Sequence, residues 1–373
     1  MKLVTLDDVR HATSGSDNSA AQPAFDLFGL AGEPSHERVV FASDPATGLQ
    51  AIVALYSTTR GPAFGGCRYW AYDNQVAALH DALRLSQGMA HKNALADLPF
   101  GGGKAVVLKN ARQMDQADRR ALFKSFGRFV ESLGGQYLTA EDVGTTADDM
   151  FAVREATRFV SGMPRAGEFG GNPSPQTALG VFVGIESAVR RVLGKASLDG
   201  VSVAVQGLGS VGWHLCEYLH VAGATLVVAD IDSEKVARAV DVFSATAVSI
   251  DAITGVDADV FAPCAMGGSI TPVVAANCRF RIVAGGANNQ LVSLADGDTL
   301  HQRDVFYVPD FLINAGGIIS CVREYQGNAT REGVMAEVRR IGERVSELYD
   351  RATASRAPTA RIADAWAKQK LVV

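Results

Sequence analysis

Two lysines and an aspartate lie in short motifs whose residue types could carry acid–base chemistry. Lys92 ends an apolar segment with a helical pattern, Lys104 follows Gly101–Gly103, and Asp142 lies within Thr139-Ala-Glu-Asp-Val-Gly-Thr. A lysine amine that is shielded from water beside a second cation can lose its proton near neutral pH, and a nearby carboxylate can then relay protons. Each group also has an ordinary interpretation, because most lysines are solvated and acids are common in the first turn of a helix.

The three glycines before Lys104 predict a turn. Three consecutive glycines cost backbone entropy, which is understandable where another group approaches the main chain closely. A phosphate-binding loop is the alternative, but the segment lacks the Walker spacing and the Ser or Thr after the lysine. The segment 61–68, Gly-Pro-Ala-Phe-Gly-Gly-Cys-Arg, taken alone predicts a turn that ends a strand.

A glycine-rich turn between two apolar strands indicates that the chain binds a dinucleotide. The β-branched run 201–206 predicts a buried strand, and the segment 207–212 reads Gly-Leu-Gly-Ser-Val-Gly. A helix is expected from about 211 to 220, and a second apolar strand from 225 ends at Asp230. A single GxGxxG is a weak signal, but strand, turn, helix, strand and acid here follow in order.

Each residue of this motif has a separate expected role. Gly207 makes the tight turn, Gly209 allows the pyrophosphate to approach, and Gly212 allows helix and strand to touch. The pyrophosphate is expected at the helix N-terminus. Asp230 can accept hydrogen bonds from both ribose hydroxyls and would repel a 2′-phosphate, so the expected cofactor is NAD rather than NADP. The motif residues expected to bind it are Gly207, Gly209, Ser210, Val211 and Gly212.

Composition limits the class of protein. A chain of 373 residues suits two domains, and 47% hydrophobic with 20% charged residues fits a globular enzyme. A net charge of −5 without a basic patch gives no reason to expect nucleic acid, and the longest apolar runs are too short to span a membrane. The first residues lack the apolar core of a signal peptide, and the five cysteines are widely spaced without a CxxC. We therefore expect a cytoplasmic protein with reduced thiols.

Periodicity places the other elements. The Gly- and Pro-rich segment 161–175 is the best domain boundary, and the alternating strands and helices after it suit a doubly wound parallel sheet. Residues 11–22 are small and polar and predict a loose segment. Strands are expected within 37–56 around a turn at 44–48 and again at 105–108; helices are expected at 74–91, 118–133, 146–159 and 334–354.

The expected fold is therefore α/β, with two domains and the active cleft between them. Residues 1–165 form the substrate-binding and oligomerisation domain, of which 1–36 is a loose extension. Residues 166–344 form the doubly wound Rossmann NAD domain. The apolar stripe of the last helix needs another surface, so the C-terminal helix within 345–373 is expected to pack back on the first domain.

The motifs together resemble those of a known family. From about residue 38 to 350 the chain is similar to the leucine, valine and phenylalanine dehydrogenases, a branch of the glutamate dehydrogenase superfamily that deaminates apolar L-amino acids. The resemblance is carried by GP-GG-R at 61–68, M-x-x-K-N…GGGK at 89–104, TAEDVGT at 139–145, NPSPQTALGV at 172–181, GLGSVG at 207–212, AGGANNQL at 284–291 and LINAGG at 312–317.

The resemblance implies roles on the substrate side. Lys92 pairs with the substrate carboxylate, together with the main chain of Gly65 and Gly66. Lys104 activates the water that attacks the imino acid, and Asp142 shuttles protons to and from the amino nitrogen. The residues implied to surround the substrate side chain are Phe64, Ala140, Ile318 and Cys321.

The resemblance also implies roles on the cofactor side. Ser174 and Thr177 meet the nicotinamide, and Thr177 holds its carboxamide. Asn289, with Asn288, holds the substrate and the nicotinamide side. The turn Pro263–Ala265 passes the adenosine ribose. The implied cofactor-binding residues outside the glycine motif are Ser174, Thr177, Asp230, Pro263, Cys264, Ala265, Asn288, Asn289 and Asn314.

The expected activity is NAD-dependent oxidative deamination of a branched-chain or other apolar L-amino acid, without a metal. Phe64 and Ile318 take up room in the implied pocket, which favours leucine, valine and isoleucine. An aromatic wall could instead stack on a substrate ring, so a phenylalanine or tryptophan dehydrogenase is the alternative. A non-catalytic NAD-binding protein is a third. Similar dehydrogenases are homo-oligomers, and the strands at 38–56 are either the subunit contact or core.

Overall fold

The computed structural model describes residues 2–5, 36–109, 114–163 and 169–372. The chain divides into two compact units, one of Met1–Gly167 with Leu371–Val373 and one of Glu168–Lys370. Each unit contains one β-sheet with helices, which confirms the predicted mixed α/β class. The division falls within the segment 161–175 that is dense in glycine and proline.

The sheet of the first unit is mixed. Its strands are β1 (Lys2–Thr5), β2 (Arg38–Asp44), β3 (Leu49–Ser57), β4 (Ala63–Phe64), β5 (Cys67–Trp70), β6 (Gly101–Leu108) and β7 (Tyr137–Leu138). They are ordered β1-β2-β3-β6-β4-β7, and β5 also pairs with β6. Strands β1, β2, β3 and β6 are antiparallel, whereas β4 and β5 run parallel to β6.

Both faces of this sheet are covered by helices. They are α1 (Gln75–Leu95), α2 (Gln116–Ser132) and α3 (Ala147–Arg154), which begin after the caps Asn74, Asp115 and Thr146. Successive strand side chains point to opposite faces. Ile52 and Ala54 therefore join a cluster with Leu79 and Leu83 of α1, while Val53 joins a cluster on the other face. Burial on both faces explains why β3 is almost continuously apolar.

The sheet of the second unit is entirely parallel. Its strands are β8 (Ser202–Gln206), β9 (Thr225–Ala229), β10 (Thr246–Ala247), β11 (Val260–Pro263), β12 (Ile282–Val283) and β13 (Phe306–Tyr307). Their order is β10-β9-β8-β11-β12-β13. The chain adds β9 and β10 on one side of β8 and then crosses over to add β11, β12 and β13 on the other side, so the strand order switches between β8 and β11. Open α/β sheets bind ligands beyond the carboxyl ends of the strands at such a switch point.

Nine further helices belong to the described part of this unit. They are α4 (Ser174–Val192), α5 (Ser210–Val221), α6 (Ser233–Phe243), α7 (Pro272–Asn277), α8 (Leu294–Gln302), α9 (Asp310–Ile313), α10 (Gly316–Tyr325), α11 (Arg331–Ser355) and α12 (Thr359–Leu371), and a 3-10 turn lies at Ile253–Gly255. Helix α5 starts at the glycine motif as the sequence predicted.

The apolar stripe predicted for the helix at 334–354 is covered within the second unit. The predicted stripe is present, because Val338, Ile341 and Val345 of α11 are buried. It faces α4 of the same unit, where Gly180 and Gly184 leave room for Ile341 and Val345. Helix α12 also belongs to this unit up to Lys370, and only the last three residues group with the first unit.

Two shorter predictions also need correction. Helix α3 ends at Arg154 rather than near Phe159, because the chain turns to pair beside β7: Thr139 donates to the carbonyl of Phe159 and bridges to Val160. Lys2–Thr5 lie in β1, which pairs with β2, so this part of the extension is not loose. The predicted loose segment 11–22 lies outside the described residues.

Candidate active site

The glycines before Lys104 form a buried strand, not the predicted turn. Gly101–Gly103 are the first residues of β6. A Cβ on Gly101 would lie 1.9 Å from the carbonyl oxygen of Ser57, and one on Gly102 would lie 2.1 Å from the amide nitrogen of Ala90. One on Gly103 would lie 2.9 Å from the ring of Tyr137. The expected close approach is therefore real, and the groups that approach are a neighbouring strand, helix α1 and an aromatic ring.

Lys104 and Asp142 form an ion pair inside the first unit. Lys104 lies in β6 opposite Ala54, and its Nζ is 2.8 Å from Oδ2 of Asp142. The side chains are 5% and 18% exposed, respectively. Burial alone raises the pKa of Asp142, but the ammonium of Lys104 and the guanidinium of Arg68 outweigh it, so the pKa of this carboxyl lies below its usual range. Asp142 is therefore an ionised carboxylate at neutral pH.

A tight loop, not a helix, places Asp142. The amide of Asp142 donates to Oγ1 of Thr145 over 2.8 Å, and the amide of Thr145 donates to the carbonyl of Asp142 over 3.0 Å. Gly144 has a φ of +82°, and a Cβ there would lie 1.9 Å from the carbonyl oxygen of Tyr69. The acids that do cap helix α3 come later in the chain, so the ordinary interpretation of Asp142 as a helix-capping acid does not hold.

Gly65 and Gly66 let the strands around Lys104 come together. A Cβ on Gly65 would lie 1.8 Å from the carbonyl oxygen of Gly103, and one on Gly66 would lie 2.8 Å from Cβ of Asp142. The hydroxyl of Tyr137 donates to the carbonyl of Gly65 over 2.6 Å. The amide of Gly65 donates to the carbonyl of Leu138. The main-chain amide of Gly65 is therefore already paired within the first unit.

The other predicted substrate residues of the first unit lie around the same strands. Lys92 is in the last turn of α1 and is partly exposed. Its neighbour Asn93 donates through Nδ2 to the carbonyls of Gly101, over 2.6 Å, and of Phe64, over 3.3 Å. Ala140 is buried beside Gly66. These contacts join the end of α1 to β4 and β6, which brings the sequence motifs at 61–68, 89–104 and 139–145 together.

Phe64 is more enclosed than the implied pocket role requires. Its side chain is fully buried in β4, and its ring meets that of Phe100 edge to face at 5.4 Å between centroids. Phe64 therefore forms part of the core under the strand edge. Ile318 and Cys321 belong to the second unit, where they lie three residues apart on helix α10, Cys321 buried and Ile318 partly exposed.

The three glycines of the second unit have the predicted geometry. Gly207 has a φ of +97° and packs against Ala265, and a Cβ on Gly212 would lie 1.9 Å from the carbonyl oxygen of Gly207. A Cβ on Gly209 would meet no atom within 4 Å. Gly209 caps α5 without a side chain, so Ser210 and Val211 begin the helix with amide groups that no cap occupies. An anionic group could approach the main chain there.

Asp230 follows β9 and is partly exposed. Its Oδ2 accepts a hydrogen bond from the amide of Leu208 over 2.5 Å, and Oδ1 accepts one from the amide of Asp232 over 2.8 Å. Each carboxylate oxygen can accept a further bond. Asp230 therefore holds the glycine loop through the amide of Leu208, a contact that the sequence did not show. It also keeps acceptor capacity for a ribose.

Loops at the same edge carry the other predicted cofactor residues. Pro263 ends β11 opposite Gln206, and the next residues, Cys264 and Ala265, lie beside the glycine turn. Nδ2 of Asn314 donates to Oδ1 of Asn288 over 2.8 Å and to the carbonyl of Gly286 over 3.1 Å. Oδ1 of Asn314 is buried and has no hydrogen-bond partner among the described residues.

Two further predicted cofactor residues start helix α4, and one follows β12. The hydroxyl of Thr177 donates to the carbonyl of Pro173 over 3.0 Å, so it is left to act as an acceptor. The amide of Ser174 donates to Oδ1 of Asn172. Asn289 has a φ of +52°, and its amide donates to Asp310 over 2.7 Å. The carboxylate thus holds Asn289 in a left-handed conformation that costs energy.

Sequence reasoning missed three supporting residues. Tyr137 and Asn93 hold the main chain around Gly65, and Arg68 contacts Asp142. Arg68 and Asn93 lie in motifs that the sequence identified, so the motif was visible but the contacts were not. No composition or periodicity signal marks Tyr137, because a tyrosine in a short apolar strand is ordinary core.

The described residues contain neither a metal-binding cluster nor a membrane-spanning helix. No group of three or more His, Cys, Asp or Glu side chains there could hold a metal ion. None of the helices in that part of the chain is both long and apolar enough to cross a membrane. The five cysteines are free thiols.

Comparison with known proteins identifies the family. The two α/β units of this chain, one of which has a parallel sheet and a glycine turn, are typical of an enzyme fold that binds nucleotides. A model described as Glu/Leu/Phe/Val dehydrogenase, dimerisation domain, matches residues 36–159, and one described as Glutamate/Leucine/Phenylalanine/Valine dehydrogenase matches residues 228–366. The chain belongs to the Glu/Leu/Phe/Val dehydrogenase family, which confirms the resemblance drawn from the motifs.

Several relatives cover nearly the whole chain. Leucine dehydrogenase of Geobacillus stearothermophilus is 44% identical over 338 residues, 90% of each chain. Phenylalanine dehydrogenase of Bacillus thermotolerans is 41% identical over 342 residues, 90% of this chain and 88% of the relative. The crystal structure of L-tryptophan dehydrogenase from Nostoc punctiforme is 38% identical with a TM-score of 0.78, covering 92% of this chain and 98% of that one.

Proposed function

We propose that this chain catalyses the NAD-dependent oxidative deamination of an apolar L-amino acid, with leucine, valine and isoleucine as the preferred set. The amino acid, NAD⁺ and water yield the 2-oxo acid, ammonium, NADH and a proton, and the reaction is reversible. The observation that carries the proposal is the 2.8 Å ion pair between Lys104 and Asp142. A buried lysine in contact with an ionised carboxylate that is 18% exposed is suited to proton transfer, and such a pair is costly to maintain for structure alone.

Each step on the amino acid has a candidate group in the first unit. Lys92 pairs with the substrate carboxylate, and the amide of Gly66 is the main-chain donor beside it. Asp142 accepts a proton from the substrate ammonium, which must become an amine before a hydride can leave Cα. After oxidation, Lys104 takes a proton from the water that attacks the imine carbon. The 2.8 Å contact allows a proton to pass directly between Lys104 and Asp142.

The second unit fits NAD. Gly209 leaves open space at the start of α5, and the buried Oδ1 of Asn314 is an acceptor without a partner among the described residues. The pyrophosphate would lie at the helix start, Asp230 would bind the ribose, and Asn314 with Thr177 would accept from the carboxamide of the nicotinamide. When bound, NAD accepts the hydride from Cα of the amino acid. Ser174, Asn288, Asn289 and the turn Pro263–Ala265 complete the proposed cofactor set.

The apolar substrate is supported by the side chains implied to surround it. Phe64, Ala140, Ile318 and Cys321 carry no charge, so glutamate would bury a second carboxylate without a cation, at a cost of several kcal/mol. The aromatic alternative has support of its own, because a phenylalanine dehydrogenase and a tryptophan dehydrogenase are close relatives. A non-catalytic role is disfavoured by the intact lysine–aspartate pair.

We also infer a homo-oligomer assembled through the first unit. The family model for residues 36–159 carries the description of a dimerisation domain. The side chains of β2 and β3 already pack within the two core clusters of this unit. Light scattering at micromolar concentration should therefore show a multiple of 39.3 kDa. A species of monomer mass alone would contradict the inference.

The function is tested by NADH formation at alkaline pH with single L-amino acids. We expect activity with leucine, valine and isoleucine, less with phenylalanine and tryptophan, and none with glutamate or with D-leucine. The Lys104→Ala variant is the control for contaminating dehydrogenases. Equal rates in the parent and in this variant, or no activity with any amino acid, would refute the proposal. A preference for an aromatic substrate would select the alternative substrate class.

A further inference from the structure

Arg68 joins two carboxylates that belong to different elements. It lies in β5, beside Val106 of β6. Its Nε is 3.3 Å from Oδ2 of Asp142, and its Nη1 is 2.7 Å from Oδ2 of Asp81. The side chain of Arg68 is 16% exposed. A partly buried guanidinium that contacts two carboxylates has little rotational freedom, so its position relative to Asp142 is defined.

Asp81 on helix α1 anchors the far end of this guanidinium. The hydroxyl of Tyr72 donates to Oδ2 of Asp81 over 2.6 Å, and Arg84 contacts Oδ1 over 3.3 Å. Burial raises the pKa of Asp81, but the hydrogen bond from Tyr72 and the charge of Arg68 outweigh it, so the pKa of Asp81 lies below its usual value. Asp81 therefore stays ionised at neutral pH and keeps its hold on Arg68.

Lys104 and Arg68 both contact Oδ2 of Asp142, over 2.8 Å and 3.3 Å respectively. Two donors on one oxygen fix the rotation of the carboxylate. The two cations differ chemically, because lysine can release a proton and arginine cannot. If Lys104 gives up its proton during the reaction, Arg68 is the cation that still compensates the carboxylate of Asp142.

Other titratable groups near Asp142 do not replace Arg68. Burial holds the pKa of the Cys67 thiol and of the Tyr137 hydroxyl well above their usual values, so both are neutral. Glu141 precedes Asp142 in the chain, and burial followed by the charges of Asp149 and Asp142 raises its pKa. An added negative charge would favour the protonated form of Asp142, which leaves Arg68 and Lys104 as the groups that favour its charged form.

We propose that Arg68 is a positioning residue for the deamination reaction: held by Asp81, it orients the carboxylate of Asp142 and compensates its charge while Lys104 is neutral. This proposal rests on the proposed function, because the proton transfers that it supports are those of the dehydrogenase. Arg68 itself touches neither substrate nor cofactor in this assignment. It acts through Asp142.

The test compares Arg68→Gln, Arg68→Lys and the control Arg84→Gln, which removes a cation that contacts Asp81 but not Asp142. The pH dependence of kcat/KM for the best amino acid is measured for each protein. Arg68→Gln should lower kcat about tenfold or more, a part of the ~10²–10⁴-fold effect of a proton-transfer group. Its acidic limb should move to higher pH, because the carboxylate loses a cation and its pKa rises. Arg68→Lys should restore part of kcat and part of the position of the acidic limb, and Arg84→Gln should match the parent in both.

Equal pH profiles for Arg68→Gln and Arg84→Gln would overturn the proposal. So would a loss of kcat with an unmoved acidic limb and no rescue by lysine, because that pattern indicates a structural role. Thermal unfolding shows whether Arg68→Gln folds; if it does not, Asp81→Asn, which only loosens the anchor, should move the acidic limb in the same direction by less. An unmoved limb in Asp81→Asn would then contradict the proposal.

Failure of the proposed function has a different signature. If the parent forms no NADH with any amino acid, the dehydrogenase assignment fails, and Arg68 is judged by a double-mutant cycle on unfolding. Arg68→Gln and Asp142→Asn should then be non-additive, because the charges contact each other. Additive effects would show that Arg68 does not hold Asp142 at all.

Discussion

The first and second units build their candidate sites from different materials. In the first unit the proposed reactive groups are side chains, Lys104 and Asp142, which are largely shielded from water and fix each other through an ion pair. In the second unit much of the candidate surface is main chain at the ends of parallel strands, around Gly207 and Gly209. One arrangement depends on charges held in a packed interior, and the other on loops that leave backbone groups accessible.

Glycine has a different purpose in each unit. Gly101–Gly103 have no side chains because strand, helix and ring atoms of the protein occupy that space. Gly209 has none although the space beside it is open. The first kind of glycine serves packing and so affects stability, whereas the second leaves room for a ligand. The same residue type therefore predicts different consequences of substitution, and each can be measured.

The largest effect is expected from removing Lys104, the proposed base in the first unit. Lys104→Ala should lower kcat by roughly 10²–10⁴-fold, the range of a proton-transfer group, while NAD binding is kept because the cofactor residues lie in the other unit. Lys109→Ala is the matched control, an exposed lysine just beyond the same strand. The rate of NADH formation at saturating substrate measures kcat, and a fluorescence titration with NAD measures NAD binding. Turnover within tenfold of the parent would remove Lys104 from the mechanism.

The packing glycines are tested by stability. Gly102→Ala would place a methyl group 2.1 Å from the amide nitrogen of Ala90 in α1, so the helix must move away from β6. Overpacking typically costs ~1–3 kcal/mol, and a contact with main chain cannot be relieved by a rotamer change. Gly88→Ala lies on the same helix with nothing within 4 Å, and it should be neutral or stabilise by about 0.5–1 kcal/mol. Equal melting temperatures for the two variants would contradict this account.

The sequence could predict the second unit well because its signals are local. Runs of β-branched residues marked β8 and β9, and Gly207, Gly209 and Gly212 have the backbone geometry assigned to them. The binding roles of these residues stay predictions. In the first unit the local signal was misleading, because glycine is unfavourable in a strand and three in a row predict a turn. The approach of Ser57 in β3, Ala90 in α1 and the ring of Tyr137 explains why β6 begins with three glycines.

Tertiary partners set the other limit of sequence reasoning. The stripe on α11 was predicted, but an apolar stripe shows only that some surface covers it, and Gly180 and Gly184 of α4 provide that surface. Arg68 was visible in a motif, yet its contact with Asp142 joins positions far apart in the chain. The family resemblance predicted the roles of these motifs, and the structure shows which atoms meet within each unit.

The loop site of the second unit should respond less sharply to a side-chain change. Asp230→Ser removes a carboxylate that accepts the amide of Leu208 and would bind the ribose. Hydrogen bonds to a charged group contribute ~1.5–3 kcal/mol, so kcat/KM for NAD should fall roughly tenfold or more, and the gap to NADP should narrow. Asp232→Ser, which alters the neighbouring helix cap of α6, is the control. Comparable use of NAD and NADP by the parent would refute the argument from like charge.

The smallest change is expected at Phe64, whose buried ring shapes the substrate side of the first unit through the core. If the branched-chain proposal is correct, the parent prefers L-leucine, and Phe64→Leu makes room and raises relative kcat/KM for L-phenylalanine by on the order of tenfold. One methylene typically changes discrimination by ~1–3 kcal/mol, which sets this scale. If the ring instead stacks on an aromatic substrate, the parent prefers L-phenylalanine and Phe64→Leu weakens that preference. The two proposals thus predict opposite signs for the same ratio, and Phe151→Leu, an exposed phenylalanine on α3, should leave it unchanged.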